Sequence, residues 1–162
     1  MVSRFTLIAV AALTLQPAFG GEDDHSSHLS ELDGFSALHA WTQATQDSEA
    51  LIFVELANEG DAAVLLEGAE ADNAATVELV GFALKDGAGV YEPIGAAVPI
   101  EPGRELHLEP DGLALRLTGV DGPLVEGTHF EMHLVTNLGE LEIDVEVEAS
   151  DATAHGHAGH NH

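Results

Sequence analysis

The sequence predicts an all-β domain, an antiparallel sandwich or barrel, and three observations support this class. Short segments in which apolar and polar residues alternate recur from Phe35 onward, as half-buried strands require. Turn signals rich in Gly, Pro, Asn and Asp separate these segments about every 8–12 residues, a spacing typical of sandwiches and barrels. No long amphipathic helix is evident. The chain has no cysteine, so the domain must be stable through its core alone.

Eight segments have the pattern of strands bounded by turns. They are residues 50–56, 63–67, 76–84, 98–100, 105–108, 113–117, 128–136 and 140–148. From Leu141 to Glu148 apolar and acidic residues alternate throughout, which predicts one buried and one solvated face. Asn137-Leu138-Gly139, between the last two segments, is a hairpin signal. A helical turn is predicted within Ala69–Ala75.

The N-terminus has the order of a cleaved signal peptide. Arg4 precedes the apolar stretch Phe5–Leu15, and Ala18-Phe19-Gly20 resembles a cleavage site. We therefore expect a periplasmic protein with no membrane insertion after signal removal, and without a nearby cysteine we expect no lipid anchor. The predicted parts are 1–20 as the signal peptide, 21–34 as a flexible acidic leader, 35–149 as the β domain and 150–162 as a disordered His-rich tail.

The chain is strongly acidic. It has 29 Asp and Glu residues against four Lys and Arg, for a formal net charge of −25, and every acidic residue follows Gly20. This charge would repel phosphate groups, which argues against nucleic acids and anionic membranes as partners. The acidic residues are scattered, so we interpret them as a solubilising surface suited to salty surroundings. The alternative is a diffuse field that concentrates cations near the protein.

The last eight residues contain the clearest candidate chemistry. They carry four histidines, His155, His157, His160 and His162, separated by Gly, Ala and Asn. On an extended segment, residues two apart point to the same side, so each close pair can hold a metal between two imidazoles. Neutral imidazole suits copper, zinc and nickel, and His-rich tracts are typical of metal binding. We predict metal binding here, the alternative being a solvated tail without a ligand.

Two further histidines lie in the acidic leader. His25 and His28 follow Asp23 and Asp24, and they are predicted to join the tail around a metal if both termini are mobile. Imidazole must be neutral to bind a metal. Affinity is therefore predicted to fall as the pH drops below about 6.5.

The remaining histidines favour structural or surface roles. His129 and His133 share one strand face with Glu131, where neighbours are about 6–7 Å apart. A solvated polar face is favoured there over a carboxylate–imidazole metal site. His107 is predicted to lie at the surface, and His39 to make a structural hydrogen bond.

Five segments resemble, in order and spacing, the periplasmic copper chaperones written PCu(A)C. They are Leu38–Trp41, Phe53–Asp61, Val77–Leu79, Ile100–Gly103 and Leu124–Gly127. The resemblance covers about residues 36–148. It implies a cupredoxin-like antiparallel β-sandwich with Greek-key topology that holds copper and passes it on. The implied partner is a copper-accepting protein, such as a component of cytochrome oxidase assembly.

The resemblance also implies two His and two Met ligands at set places, and this chain departs from that pattern. The matching positions are Val80, Phe82, Ala114 and Arg116, with a further Met expected near Val90 or Tyr91. Met132 is the single Met after the predicted signal peptide, so one molecule cannot supply two. We expect the core site to be lost. Fewer thioethers and more imidazoles shift the expected guest to Cu(II), with zinc or nickel as alternatives.

The sequence thus predicts a periplasmic copper-binding protein, either a metallochaperone or a metal buffer, whose tail captures the metal. An enzyme is not expected, because no Gly-x-Ser-x-Gly elbow, His-Glu-x-x-His helix or phosphate loop occurs. The alternative function is a protein-interaction module on the same fold, without a metal role, that presents an acidic surface.

Overall fold

A computed structural model describes residues 29–156, which form eleven β-strands. In chain order these are β1 Leu29–Leu32, β2 Phe35–Gln43, β3 Glu49–Asn58, β4 Val64–Glu70, β5 Thr76–Lys85, β6 Ala88–Pro93, β7 Val98–Ile100, β8 Arg104–Leu108, β9 Leu113–Thr118, β10 His129–Thr136 and β11 Gly139–Glu148. Within this range there is no helix capable of spanning a bilayer.

The strands form one sheet in the order β6-β5-β9-β8-β3-β2-β11-β10-β4-β7, with β1 paired to β2. The first half of β3 also pairs with β9. Most neighbours are antiparallel, but β2 runs parallel to β11 and β8 runs parallel to β9. The predicted all-β sandwich is confirmed, with mixed rather than purely antiparallel pairing. The β2–β11 pair brings an early strand of the domain beside its last one.

The sheet folds over one large apolar core to which both of its ends contribute. Leu79, Leu115 and Leu117 come from the β5–β9 end, and Leu66, Met132, Leu134 and Ile143 come from the β4–β10–β11 end. On β11 the predicted alternation holds, because Leu141, Ile143, Val145 and Val147 are buried while the intervening acidic residues face away. Burial of this apolar surface is the main stabilising term of the fold.

A smaller apolar cluster lies on the opposite face of the same sheet, which we call the outer face. This outer cluster consists of buried Trp41, Phe53, Val80 and Ala114, with Leu51, Tyr91 and Ala152 packed against it. Trp41 lies opposite Phe53 across β2 and β3, with ring centroids 4.8 Å apart. Val80 lies opposite Ala114 across β5 and β9. Their chain neighbours point into the main core, as strand alternation requires.

Two tight turns explain strands that the sequence analysis did not identify. Leu29–Leu32 falls in the expected leader, yet it forms β1 and pairs with β2. Asp33 and Gly34 join these strands with φ values of 50° and 81°. Asp86 and Gly87 join β5 to β6 with φ values of 54° and 82°. Asp-Gly is a preferred dipeptide for such two-residue hairpin loops, because both positions need positive φ.

Two other expectations can be compared with the structure. The helical turn predicted within Ala69–Ala75 is wrong, since Ala69 and Glu70 end β4 and the following residues form turns. The hairpin at Asn137 is confirmed, because Thr136 pairs with Gly139 at the end of the β10–β11 ladder. The Asn137 side-chain oxygen accepts a hydrogen bond from Leu65 N at 2.7 Å, which fixes this hairpin against β4.

Candidate metal site

The chain folds back over the outer face after β11. We call residues 149–156 the return segment. Gln43 Nε2 donates a hydrogen bond to Ala152 O at 2.7 Å, and the Ala152 side chain packs against the outer cluster. At its end, Gly156 N donates to Glu148 Oε1 at 2.8 Å. The first part of the expected disordered tail is therefore held on the sheet.

The return segment brings His155 between two glutamates of β11. The Nδ1 atom of His155 is 2.9 Å from Glu148 Oε1, and its Nε2 atom is 3.8 Å from Glu146 Oε2. One ligand atom from each of the three residues lies within 4.8 Å of the other two. The side chain of His155 is 9% exposed, that of Glu148 15% and that of Glu146 37%. Nitrogen and carboxylate oxygen donors of this kind bind zinc and Cu(II).

A β-bulge in β2 brings a second imidazole to the same place. The pairing of β2 with β3 shifts by one residue between Leu38 and Trp41. His39 lies in this bulge with φ of 52°, a conformation that costs a non-glycine residue about 1–2 kcal/mol. Its ring stacks on that of His155, with centroids 5.0 Å apart and planes inclined by 20°. Bulges often re-aim a side chain, and here the bulge accompanies the stacking of the two rings.

A cleft of about 220 Å³ opens beside the stacked rings. Its lining includes three imidazoles, those of His39, His107 and His155, together with the carboxylates of Glu55 and Glu109. His107 was predicted to be a surface residue, and its exposed side chain has Nε2 at 3.3 Å from Glu105 Oε2. The histidines that the sequence analysis treated separately therefore border one polar cleft.

Of the six histidines predicted to bind metal, one is described by the structure. His155 lies against Glu146 and Glu148, whereas His25, His28, His157, His160 and His162 fall outside the described residues. The sequence analysis missed both glutamates as site residues, because it assigned them to the solvated face of an alternating strand. That alternation indicates which face they occupy but not which segment returns over it.

The histidines of β10 remain on the surface. His129 lies opposite Glu146 in the β10–β11 ladder, and Glu131 is exposed. His133 Nε2 is 3.6 Å from Glu142 Oε2, with both side chains accessible to solvent. This arrangement agrees with the polar face that the sequence analysis favoured.

The positions that match the family's ligands also lie on the outer face, but their side chains are engaged in packing or ion pairing. Val80 and Ala114 are fully buried against each other. The ring of Phe82 meets that of Tyr91 edge-on at 5.4 Å. Arg116 donates hydrogen bonds to Glu78 Oε2 at 2.8 Å and to Tyr91 O at 3.2 Å.

The His155 group and the Val80–Ala114 pair are well separated on the sheet. Glu146 lies beside Trp41, Trp41 beside Phe53, and the Ile52–Leu115 pair brings Phe53 next to Ala114, which faces Val80. Four steps between strands about 4.8 Å apart amount to about 19 Å. The His155 group therefore lies apart from the positions to which the resemblance assigns ligands.

Comparison with known proteins identifies the fold and the family. A family model described as LpqE-like, putative lipoprotein, matches residues 36–147. A putative lipoprotein of Leifsonia xyli subsp. xyli is 27% identical over 104 residues, which cover 64% of this chain and 63% of that relative. The chain therefore spans just under two thirds of that relative's length.

Solved structures of PCuAC domains share the fold. The apo PCuAC domain of PmoF2 is 25% identical with a TM-score of 0.64, covering 78% of this chain and 99% of that domain. The copper-bound PCuAC domain of PmoF2 has a TM-score of 0.62 at 22% identity, covering 75% of this chain and 98% of that domain. The predicted resemblance and the cupredoxin-like sandwich are thus confirmed. Because the family match spans well over half of the chain, the protein belongs to the LpqE-like family.

Proposed function

We propose that the protein is an exported copper-binding protein, a metallochaperone or metal buffer, whose C-terminal histidines capture the metal. Two kinds of observation support copper. A PCuAC domain of the same fold has been solved with copper bound. The return segment of this chain holds the first tail histidine, His155, against Glu146 and Glu148, and this observation carries the proposal.

The tail provides further ligands immediately after this point. His157 follows His155 by two residues, and His160 and His162 complete the sequence. The leader histidines precede this region directly in the sequence, because β1 begins at Leu29, the residue after His28. Leu29 pairs with Leu38, the residue before His39 in the bulge. We include both leader histidines, His25 and His28, in the proposed set.

The proposed guest is Cu(II), with zinc and nickel as competitors. The donors near His155 are imidazole nitrogen and carboxylate oxygen, which favour Cu(II) over the thioether-seeking Cu(I). Met132 has 0% exposure in the main core, so its sulfur is not offered to a surface metal. Val80 and Ala114 carry no ligand atoms. These features support loss of the family's core site, so that the tail is the place of capture.

The proposal extends to location and partner. We propose that the protein acts in the periplasm after removal of residues 1–20, and that it delivers copper to an accepting protein such as a cytochrome oxidase assembly component. Two of its structural neighbours are named as PCuAC domains, one of them copper-bound, and we propose no catalytic activity.

Calorimetric titration of Cu(II) and Zn(II) tests the proposal on residues 21–162. The matched variant replaces His155, His157, His160 and His162 by Ala and keeps the return segment. A second form ends at Ser150. We expect a Kd well tighter than micromolar for Cu(II) in the parent, lost in both altered forms. Unchanged affinity in both would assign copper to the core. Absence of binding in all three would favour a protein-interaction module with an acidic surface.

A further inference from the structure

We propose that Glu146, Glu148 and His155 form a fixed, folded site for one Cu(II) or Zn(II) ion on the outer face of the sheet. This inference deepens the proposed function and relies on it for the choice of copper as probe. A folded site differs from capture by a free tail in one respect that can be measured. A free histidine tail needs no residue of the sheet, whereas a folded site needs the two glutamates of β11.

The charges around His155 favour a cation. A neutral imidazole has one N–H group and one nitrogen lone pair. Each ring nitrogen of His155 faces a different carboxylate, so in the neutral ring one contact brings a lone pair towards an anion. A divalent cation between Nε2 and Glu146 would replace this contact with two attractive interactions, one with the Nε2 lone pair and one with the Glu146 carboxylate.

Burial strengthens this argument. Glu146 and Glu148 are two apart on β11, so their side chains leave the same face about 6–7 Å from each other. Where the return segment lies on the sheet, the side chain of Glu148 is 15% exposed and that of His155 is 9% exposed. Partly buried like charges are costly unless a counter-ion compensates them. His129, across from Glu146 on β10, is exposed to solvent.

The donor positions fit one small ion. Bonds from zinc to nitrogen or oxygen are about 2.0–2.2 Å long, so donors that share an ion lie about 3–4 Å apart. His155 Nε2 and Glu146 Oε2 are 3.8 Å apart, within this range, while Nδ1 on the other side of the ring lies 2.9 Å from Glu148 Oε1. One ligand atom from each of the three residues lies within 4.8 Å of the other two.

The surrounding residues hold the group in place. Gly156 N donates to Glu148 Oε1, and a Cβ atom on residue 156 would meet Glu148 Oε2 at 3.3 Å, closer than most such contacts. His39 keeps its positive φ and stacks on the His155 ring. Supporting contacts of this kind orient ligands, and their removal typically weakens metal affinity about 10–100-fold.

The experiment compares two charge-matched variants of residues 21–162. Glu146→Gln with Glu148→Gln removes both proposed ligands and keeps their shape. Glu140→Gln with Asp144→Asn removes two charges from the same face of β11 outside the site. Cu(II) affinity is measured by calorimetry and by quenching of Trp41 fluorescence, since this single tryptophan lines the cleft beside His155. Thermal unfolding without metal verifies that both variants are folded.

We expect the Cu(II) Kd to weaken at least about 10-fold in the Glu146/Glu148 variant and to stay within about threefold of the parent in the control. Trp41 quenching at low copper should be lost in the first variant alone. Equal affinity in the parent and both variants, with binding lost when the four tail histidines are replaced, overturns the folded site and leaves tail capture standing. Equal weakening in both variants also overturns it, because general charge attraction then suffices. If no form binds copper, the proposed function fails as well.

Discussion

The outer face of the sheet has two halves with opposite chemistry. One half is apolar: the outer cluster of Trp41, Phe53, Val80 and Ala114 fills the surface that contains the positions matching the family's ligands. The other half is acidic, with Glu146 and Glu148 of β11 around His155. The same fold therefore supports a packed, donor-free cluster next to a donor-rich group. Trp41 lies beside Glu146, and Val80, at the far end of the cluster, is about 19 Å from Glu146 along the sheet. The backbone supplies the face, and the side chains determine where a cation finds ligands.

The halves also differ in what covers them. The return segment crosses both, and it contributes the Ala152 methyl to the apolar half and the His155 ring to the acidic half. In the apolar half its contact adds to those of Leu51 and Tyr91. In the acidic half it completes the donor set. We therefore expect mutations in the apolar half to change stability, and mutations in the acidic half to change metal affinity.

The largest expected effect would break the apolar half. Phe53 is 3% exposed and its ring packs on Trp41. Phe53→Ala should lower the free energy of unfolding by about 3–5 kcal/mol, because it removes a buried ring and leaves a cavity. Urea titration monitored by circular dichroism measures this change.

The matched comparison is Glu146→Gln, a solvent-accessible change that should alter the unfolding free energy by less than about 0.5 kcal/mol. In the absence of urea, and at a temperature where both variants are folded, Phe53→Ala should keep the parent's Cu(II) affinity. A reversal of this pattern, with Glu146 governing stability and Phe53 governing copper affinity, would contradict the division of the face.

A smaller effect is expected at Arg116, on the border of the apolar half. Its side chain is 19% exposed, and its guanidinium donates to Glu78 and to Tyr91 O. Arg116→Met keeps the apolar stem but removes both hydrogen bonds, so we expect a loss of about 1–2 kcal/mol in urea titration. It should gain no Cu(I) affinity, because neighbouring Val80 and Ala114 offer no donor.

Lys85→Met serves as the control for Arg116, since Lys85 also pairs with an acidic residue, Glu92, but both side chains are largely exposed. Exposed pairs contribute little, and no measurable change in stability is expected. Tight Cu(I) binding by the Arg116 variant would show that the family's positions retain a partial site.

The smallest effect concerns the titration of Tyr91, which packs against the outer cluster. Burial raises the pKa of its hydroxyl above the ordinary value of about 10, and this outweighs the opposing hydrogen bond from Asp111 N. The folded state thus retains the phenolic proton to higher pH than the unfolded state. The associated stability is complete below about pH 10 and is lost as the pH rises through the folded pKa.

This chain has one tyrosine, so absorbance near 295 nm reports Tyr91 alone. We expect the midpoint in the folded protein to lie above that of the same protein in concentrated urea. Identical midpoints would mean that the hydroxyl is fully solvated and that this edge of the apolar half is open.

Much of the fold was predictable because strand patterns are local. The alternation from Leu141 to Glu148 and the turn at Asn137 gave β11 and its hairpin correctly. The Asp33-Gly34 turn was also visible in the sequence, yet the acidic composition of the leader led us to assign β1 to a flexible segment. Turn chemistry was the stronger signal there.

The candidate site was predictable only in part, because some of its residues are brought together by contacts between segments that are distant in the sequence. A His-rich end predicts metal chemistry from composition alone, and His155 belongs to it. Glu146 and Glu148 join His155 because the return segment crosses the sheet. The bulge at His39 depends on how β2 pairs with β3. Pairings between distant segments leave no local periodicity, so neither contact was evident from the sequence.

The pairing of Leu29 with Leu38 and the stacking of His39 on His155 have a consequence for binding kinetics. They anchor Leu29, which directly follows the leader histidine His28, and the first histidine of the tail on either side of one bulge. Segments tethered this closely act on each other at effective concentrations that reach the millimolar range for short flexible linkers. If the leader histidines bind the same ion as proposed, they reach an ion held by His155 in an intramolecular step, which extends its residence time on the protein without any tighter individual bond.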